Sequence, residues 1–342
     1  MASEDVQSME GRERRLHQIE MIVEAVEPIA HGAETVGNAQ IAMRSKVRLP
    51  TGRFVEVPIV TGDTMRHGLR EAATEELLRV AGLRGGLSEA ALRLLYNGGL
   101  VRGAAKDVVS IAEARELEEL LPHLGLLGGC VGNRIVPGKV ECGYMHLVCS
   151  ETEHMLPEWV GAWLEEQGAA TAHAVEHVEE VQRVKMDALL NPHTRRALSP
   201  GAQEEADARL LASDSATAAG DAKGKKATKS SMMPFTFETI VRGSIFYWRL
   251  NVTTDTAIER DALAVMLAAF FARAKVGGKK GTGHGAIRPL AVRGHEKILT
   301  RETEGAPLAI EGEATYAAVE RYVAHVKDRA ERIEGFLSKV IA

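Results

Sequence analysis

The segment "MPFTFETIVRGSIFYWRLNV", residues 233 to 252, constrains the fold more than any other part of the sequence. Its β-branched and aromatic residues are typical of strands, and Gly243 in the middle indicates a bulge or turn between two of them. Thr256 and Glu259 then predict a capping box for the apolar helix "DALAVMLAAFFARAK". The glycine-rich segment "VGGKKGTGHG", residues 276 to 285, follows directly. Strands, a capped helix and a glycine loop therefore occur in direct succession.

The N-terminal part also predicts strands. In "RLHQIEMIVEAVEP" the apolar residues alternate, and Pro28 ends the pattern. The later segment "IAMRSKVRLPTGRFVEVPIV" contains two extended pieces separated by a Pro-Thr-Gly turn. Its basic residues Arg44, Lys46 and Arg48 fall on every second position, so an extended chain places all three on one side.

The segment "TGDTMRHGLREAATEELLRVAG" predicts a helix with Asp63 or Thr64 as its N-cap and Gly82 as its stop. Its first turns carry Arg66, His67 and Arg70. Residues 83 to 127 form a leucine-rich, mostly helical stretch, and strand chemistry returns near Gly128.

Anion binding by this chain depends on local clusters, because its formal net charge is only -5. The glycine loop, the basic helix start and the basic strand offer three such clusters: exposed N–H groups, a helix dipole and fixed positive charges. Together they predict contact with a nucleic-acid backbone. Plain alternatives stay open, since the loop is also a normal helix-to-strand turn and Arg66 or Arg70 can pair with Glu71 or Glu75.

The sequence predicts a soluble, cytoplasmic protein without a cofactor. The three cysteines show no disulfide or zinc spacing, the N-terminus lacks the apolar core of a signal peptide, and no stretch is long enough for a membrane span. Residues 212 to 231, "ASDSATAAGDAKGKKATKSS", contain Lys225 and Lys226 among small residues, and we expect a mobile loop there.

The C-terminal segment carries an apolar stripe at alternating steps of four and three residues. This pattern predicts a packing face, either on the body of the same chain or on a neighbouring subunit. Its members are Val319, Val323, Val326, Ala330, Ile333, Leu337 and Val340.

One segment has the pattern of a metal-dependent hydrolase. In "HAVEH", a helix would set His173 and His177 one turn apart as zinc ligands, with Glu176 as a base for zinc-bound water. A solvated helix face explains the same five residues, because the surrounding sequence is highly charged. We expect no metal site, and the zinc hydrolase stays an alternative.

Four stretches, taken in order, resemble the RAMP superfamily of CRISPR-associated proteins, specifically the backbone subunit that polymerises along guide RNA. The four stretches are "VPIVTGDTMRHGLREA", "LGLLGGCVGNRIVPGKV", "FETIVRGSIFYWRL" and "VGGKKGTGHGAI". Within the superfamily, the type IV branch is the most similar. The first is similar to a motif with Lys or Arg one turn apart on a helix, and the last to the C-terminal glycine-rich loop of the family.

The resemblance implies an α+β fold with a modified RRM-like (ferredoxin-like) palm, β-α-β-β-α-β in outline, with a helical insert and a protruding thumb hairpin. The palm would comprise 16–181 and 234–300, with the insert at 72–127. The thumb would be 182–233, with the lysine-rich loop at its tip, and 301–342 would form a C-terminal amphipathic helix.

The resemblance further implies a guide-RNA (crRNA)-binding subunit that forms a head-to-tail filament with copies of itself. Its other partners would be further CRISPR effector subunits and, through the guide, a target nucleic acid, with no membrane. The expected RNA-binding residues are Arg44, Lys46, Arg48, Arg66, His67, Arg70, Arg134, Lys225, Lys226, Gly278, Lys279, Lys280, Gly281, Gly283 and His284.

Catalysis is not expected. The RNA-cleaving relatives carry an aspartate in the loop after the first strand, and the matching "MRSKV" has Arg44, which cannot act as a general base or hold a metal. Glu34 lies nearby in the sequence, so a target-RNA endoribonuclease of the same fold stays a second alternative.

Overall fold

The computed structural model describes the residues 14–99, 107–108, 110–131, 134–183, 193, 196–208, 235–294 and 313–340. The chain forms two compact units. The first comprises Met1–His31, Met43–Val178 and Ile240–Ala342, and the second comprises Gly32–Ala42 and Glu179–Thr239.

The first unit is built on an antiparallel sheet of seven strands. In spatial order these are β14 (Ile287–Arg293), β1 (Arg15–Ala25), β13 (Ile245–Thr254), β10 (Met145–Leu147), β5 (Phe54–Val60) and β4 (Arg44–Arg48), with β9 (Val140–Cys142) pairing with β13. A small second sheet has the order β6 (Asp107–Val108), β8 (Arg134–Val136) and β7 (Gly129–Val131).

The helices of the first unit follow the sequence closely. They are α1 (Gly62–Ala81), α2 (Glu89–Asn97), α3 (Ile111–Leu120), α4 (Pro122–Leu127), α5 (Glu158–Glu166), α6 (Ala257–Ala272), α7 (Glu313–Asp328) and α8 (Ala330–Lys339). Short 3₁₀ turns occur at Glu153–Met155, Ala174–His177 and Lys280–Thr282. No helix among the described residues combines the length and the apolar character that crossing a membrane requires.

The topology confirms the RRM-like fold class. The elements β1, α1, β10, β13, α6 and β14 follow one another as β-α-β-β-α-β, and their strands lie side by side in the order β14, β1, β13, β10. This is the order of a ferredoxin-like sheet, in which the two inner strands are the first and third. Strands β5 and β4 extend that sheet at the β10 edge.

The core lies between this sheet and the helices. On β1, Ile19, Met21 and Val23 are buried against a cluster that includes Met65 of α1 and Leu263 of α6. The intervening Ile22 points to the other face, where it packs with residues of α5. The alternation read from the sequence therefore describes β1 correctly, although Ile22 on the opposite face is buried as well.

The C-terminal stripe packs on its own chain. Of its members, Val326, Ile333 and Leu337 are buried in the same core as α6, and Val319, Val323 and Val340 are partly buried against it. Ala318 and Tyr322, which lie next to the stripe, are buried there too. The guanidinium of Arg321 makes a bidentate pair with Asp261 of α6, at 2.9 and 2.5 Å. The predicted single helix is in fact two, because the chain leaves helical geometry at Arg329.

The second unit contains a four-stranded sheet in the order β11 (Val178–Arg183), β12 (Phe235–Ile240), β3 (Ala39–Ala42) and β2 (Gly32–Val36). The sequence analysis placed residues 32 to 42 in the palm, but β3 pairs in parallel with β12 and draws them into this unit. Residues 200–208 are helical. The rest of the expected thumb, including Lys225 and Lys226, lies largely outside the described residues.

Candidate nucleic-acid interface

The two ends of the glycine loop lie side by side, and we call this part its neck. Its position 285 requires glycine. Lys275 pairs with Ala286 across the neck, and the N–H of Val276 donates to the carbonyl of Gly285 at 2.8 Å. Gly285 has φ +90°, and a Cβ there would lie 2.2 Å from the Val276 oxygen. A side chain at Gly285 would therefore both strain the backbone and collide with it.

The tip of the loop is different, because no described neighbour requires residue 281 to be glycine. Gly281 has no described atom within 4 Å of a built Cβ, and its φ lies outside the left-handed region. Gly281, Thr282 and Gly283 are all exposed. Lys279 before them has φ 58°, an uncommon conformation for a residue with a side chain. The tip thus offers bare backbone to an approaching ligand.

His31 joins the three segments that the sequence analysis singled out separately. The carbonyl of its neighbour Ala30 accepts the N–H of Gly278 at 2.7 Å, and its own carbonyl accepts the N–H of Met43 at 2.7 Å. Its ring Nε2 lies 3.3 Å from the N–H of Thr61, the residue before α1. The glycine loop, the start of β4 and the start of α1 therefore meet around one histidine.

The ring of His31 serves as an acceptor. Burial lowers its pKa, so the neutral imidazole is favoured and Nε2 is able to accept the Thr61 N–H. Thr61 is the N-cap of α1, and its hydroxyl accepts from the N–H of Thr64 at 3.4 Å. His31 thus satisfies the N-cap N–H, a task that the third-position glutamate performs in a capping box. Sequence reasoning missed this residue.

The basic strand β4 has the alternation that the sequence predicted. Lys46 and Arg48 are exposed, Arg44 is half-buried, and Val47 between the last two is buried. All three basic residues share one side of the strand. On β5 the residue opposite Lys46 is Glu56, which moderates the positive charge there.

The start of α1 does not form an open anion site. Its N-cap is Thr61, two or three residues earlier than predicted, and a Cβ on Gly62 would lie 2.2 Å from the Cys142 carbonyl oxygen. The charge in the first turn is Asp63, which disfavours an anion. Gly82 does end the helix, in the left-handed conformation expected of it.

Arg66 and Arg70 are used inside the fold. Arg70 is buried, and its guanidinium donates to the carbonyls of Leu127 and Gly128 at 3.1 and 3.0 Å. Arg66 donates to the carbonyl of Val140 at 2.7 Å and to that of Leu127. The two arginines therefore cap the C-terminal carbonyls of α4.

The contacts of Arg66 and Arg70 with backbone carbonyls give this pair a structural role in place of the expected RNA contact. Burial, and then the charge of Arg66, lower the pKa of Arg70 to about 10, which still leaves it cationic at neutral pH. A buried guanidinium that is committed to carbonyl groups does not present itself to RNA, so Arg70 leaves the candidate interface. His67 on the same helix is exposed and stays in it.

Three further expected residues, Arg134, Lys280 and His284, have partners in the fold. Arg134 forms a bidentate pair with Glu113, at 2.7 and 2.6 Å. Lys280 lies 3.3 Å from Glu71. Lys275, which the sequence analysis did not name, lies 3.3 Å from Glu27. His284 is buried, with Nδ1 at 2.9 Å from the Thr282 carbonyl, so its ring stabilises the loop from within.

The segment "HAVEH" lacks the geometry of a zinc site. It forms a 3₁₀ turn, not the predicted α-helix, and β11 begins directly after it. The Glu176 carboxylate accepts the backbone N–H of His173 at 3.0 Å, while Nδ1 of His177 lies 2.9 Å from the Ser244 hydroxyl. In the part of the chain that the structure describes, no group of three His, Cys, Asp or Glu residues is arranged to hold a metal ion.

Comparison with known proteins identifies the fold. No family model matches the chain, and no curated protein matches it. A chain of the solved structure "Type IV-B CRISPR Complex" aligns with a TM-score of 0.51 and 17% identity, over 85% of this chain and 95% of that one. The crystal structure of Thermofilum pendens Csc2 aligns with a TM-score of 0.36 and 14% identity, over 96% and 80%. The protein therefore has the fold of a chain found in a type IV-B CRISPR complex.

Proposed function

We propose that this protein is a non-catalytic subunit of a CRISPR ribonucleoprotein that binds guide RNA through its phosphates. The junction of the glycine loop and the basic strand β4, which both bond to the backbone of Ala30 and His31, carries this proposal. The fold supports it, because the type IV-B chain has the same architecture over most of its length.

The proposed interface consists of the glycine-loop tip and the basic side of β4. Bare backbone at Gly281 lets a phosphate approach the loop closely, while Lys46 and Arg48 supply positive charge on an exposed strand. Phosphate contacts carry no sequence information, so such a surface accepts any guide. That indifference is what a subunit repeated along one RNA requires.

Copies of the protein would lie head to tail along the guide, with other CRISPR subunits at the ends of the filament. The phosphates would face the protein and the bases would stay accessible for pairing with a target strand. The resemblance of the four sequence motifs to the RAMP backbone subunit supports this assembly.

Cleavage is not part of the proposal. Arg44 stands where the RNA-cleaving relatives have an aspartate, and it begins strand β4 as a cation. Glu34, the residue that a nuclease of this fold would use instead, is exposed on β2 in the second unit. We expect target RNA to stay intact in the assembled complex with Mg²⁺ or Mn²⁺ present.

Salt-dependent RNA binding tests the proposal. Each phosphate contact adds about 0.7 to the slope of log K against log salt for a single strand. We expect Lys46→Gln/Arg48→Gln to weaken binding of several unrelated RNAs equally and to reduce the slope by about 1 to 1.5. The matched control is Lys327→Gln/Lys339→Gln, which removes two exposed charges from α7 and α8. Equal slopes for the two variants would contradict the proposed interface.

A further inference from the structure

A second candidate site lies on the sheet of the first unit, outside the surface around His31. It is a cavity of about 210 Å³ between strands β10 and β13 and the segment that follows the 3₁₀ turn Glu153–Met155. Its lining includes Tyr144, His146, Met155, Tyr247 and Arg249. The volume is below that of pockets for drug-sized ligands and suits one ring system.

Flat aromatic groups form much of the cavity wall. The rings of Tyr144 and His146 are 6.1 Å apart and inclined at 45°. Tyr144 is 45% exposed and Met155 is 52% exposed, so two large apolar side chains of the cavity reach solvent. Two of the five tyrosines of the sequence, Tyr144 and Tyr247, line this one small cavity.

Two polar side chains of the cavity, Tyr247 and His146, have pKa values shifted by their surroundings. The hydroxyl of Tyr247 donates to the carboxylate of Glu20 on β1. Burial and that carboxylate raise the pKa of Tyr247, so it stays a protonated phenol. Burial, and then Arg249, lower the pKa of His146, which favours a neutral imidazole. Arg249 is exposed and is the cation of the cavity, with Glu20 opposite it on β1.

We propose that this cavity binds one nucleobase of a single-stranded RNA, an inference that rests on the proposed RNA-binding function. A neutral planar ring stacks on Tyr144 without bringing charge into the cavity, and Arg249 is available for the attached phosphate. A base held there would be withdrawn from pairing, whereas bases along the phosphate surface stay accessible.

Crosslinking of the full chain to a 4-thiouridine-labelled uridine oligonucleotide tests this inference. We expect crosslinked peptides from residues 143 to 157, lost in Tyr144→Ala and retained in Tyr144→Phe. Tyr144→Ala is expected to weaken binding about tenfold with an unchanged salt slope, because the lost contact is stacking and not charge. Tyr316→Ala, which removes an exposed tyrosine from α7, is the matched control and is expected to bind normally.

The outcomes separate this site from the proposed function. Crosslinks confined to the glycine loop and β4, with normal binding by Tyr144→Ala, would overturn the nucleobase site and leave the phosphate surface in place. Capture by the cavity of an aromatic side chain from a neighbouring copy, without RNA crosslinks there, would overturn it too. Absence of any RNA binding by the chain would overturn both proposals.

Discussion

The ring nitrogen Nε2 of His31 lies 3.3 Å from the backbone nitrogen of Thr61 and accepts its hydrogen bond. Thirty residues separate the two in the chain, and the bond joins the loop after β1 to the N-cap residue of α1. Through Ala30 the same loop also holds Gly278 of the glycine loop. The backbone of Ala30 and His31 therefore joins the glycine loop to β4, and the His31 side chain adds the start of α1 to this junction.

Replacement of His31 tests that dependence. His31→Leu leaves the Thr61 N–H without its acceptor, which we expect to lower the free energy of unfolding by about 1 to 3 kcal/mol. RNA affinity of the folded fraction should fall as well, because α1 is then no longer held against the loop whose backbone bonds Gly278 and Met43. His31→Gln, whose amide oxygen is able to accept the same hydrogen bond, should restore both. Urea denaturation and RNA titration measure the two effects, and lowered stability with unchanged affinity would contradict the positioning role.

A side chain at Gly281 should block RNA without disturbing the fold. No described atom lies within 4 Å of a Cβ at this position, so we expect Gly281→Leu to change stability by less than about 0.5 kcal/mol. RNA affinity should fall at least tenfold, because the side chain stands where the backbone approaches phosphate. Gly161→Leu is the control, since that glycine is also exposed and unobstructed. Normal RNA binding by Gly281→Leu would remove the loop tip from the interface.

Substitution of Arg70 should affect stability and not RNA binding. Arg70→Met removes a buried donor from the carbonyls of Leu127 and Gly128, and we expect a loss of about 2 to 4 kcal/mol in unfolding free energy. Arg93→Met, which breaks an exposed pair with Glu89, should cost at most about 1 kcal/mol. Affinity for RNA, measured on the folded fraction, should match the wild type. A selective loss of affinity in a stable Arg70→Met protein would restore Arg70 to the interface.

Acid should destabilise the protein partly through His123. This residue is fully buried, and burial followed by the charge of Arg70 lowers its pKa from 6.5 to about 3. The unfolded chain therefore binds a proton at His123 more readily than the folded chain does. The contribution of the neutral histidine to the free energy of unfolding is fully present above pH 6.5 and is lost as the pH falls towards 3. Between pH 6.5 and 5, His123 alone lowers the free energy of unfolding by about 2 kcal/mol.

Urea denaturation at pH 7.5 and 5.0 measures this effect. The difference in unfolding free energy between pH 7.5 and pH 5.0 should be about 2 kcal/mol smaller in His123→Leu than in the wild type, whatever the absolute stability of the variant. Leu92→Ala, which changes an exposed residue without a titratable group, serves as the control and should keep the wild-type difference. An unchanged difference in His123→Leu would show that other groups cause the acid sensitivity.

Local signals in the sequence predicted the elements well. The capping box of Thr256 and Glu259 is present, Gly82 stops α1 with φ 74°, and Gly243 forms a turn with φ 85°. These features depend on neighbouring residues only, so a short stretch of sequence contains what is needed to identify them. The N-cap of α1 was misplaced because Thr61, Asp63 and Thr64 are all good capping residues, and packing of Gly62 against Cys142 decides among them.

The candidate site was predictable only in part. The alternation of Arg44, Lys46 and Arg48 was correct because strand geometry alone determines it. The burial of Arg70 was not visible, because its partners Leu127 and Gly128 are nearly sixty residues away. His31 was missed for the same reason, although its position beside a glycine after Pro28 was a usable signal. The prediction of an α-helix at "HAVEH" was wrong, because the residues that follow form strand β11.

Recovery and sequencing of the nucleic acid bound to the native complex test guide binding most directly. The complex would be purified from its host, treated with nuclease and extracted, and the recovered nucleic acid would be sized and sequenced. We expect short protected RNAs that share a CRISPR repeat-derived end, with much less RNA recovered from Lys46→Gln/Arg48→Gln. Recovery of the folded, assembled protein without any bound RNA would contradict the proposed function.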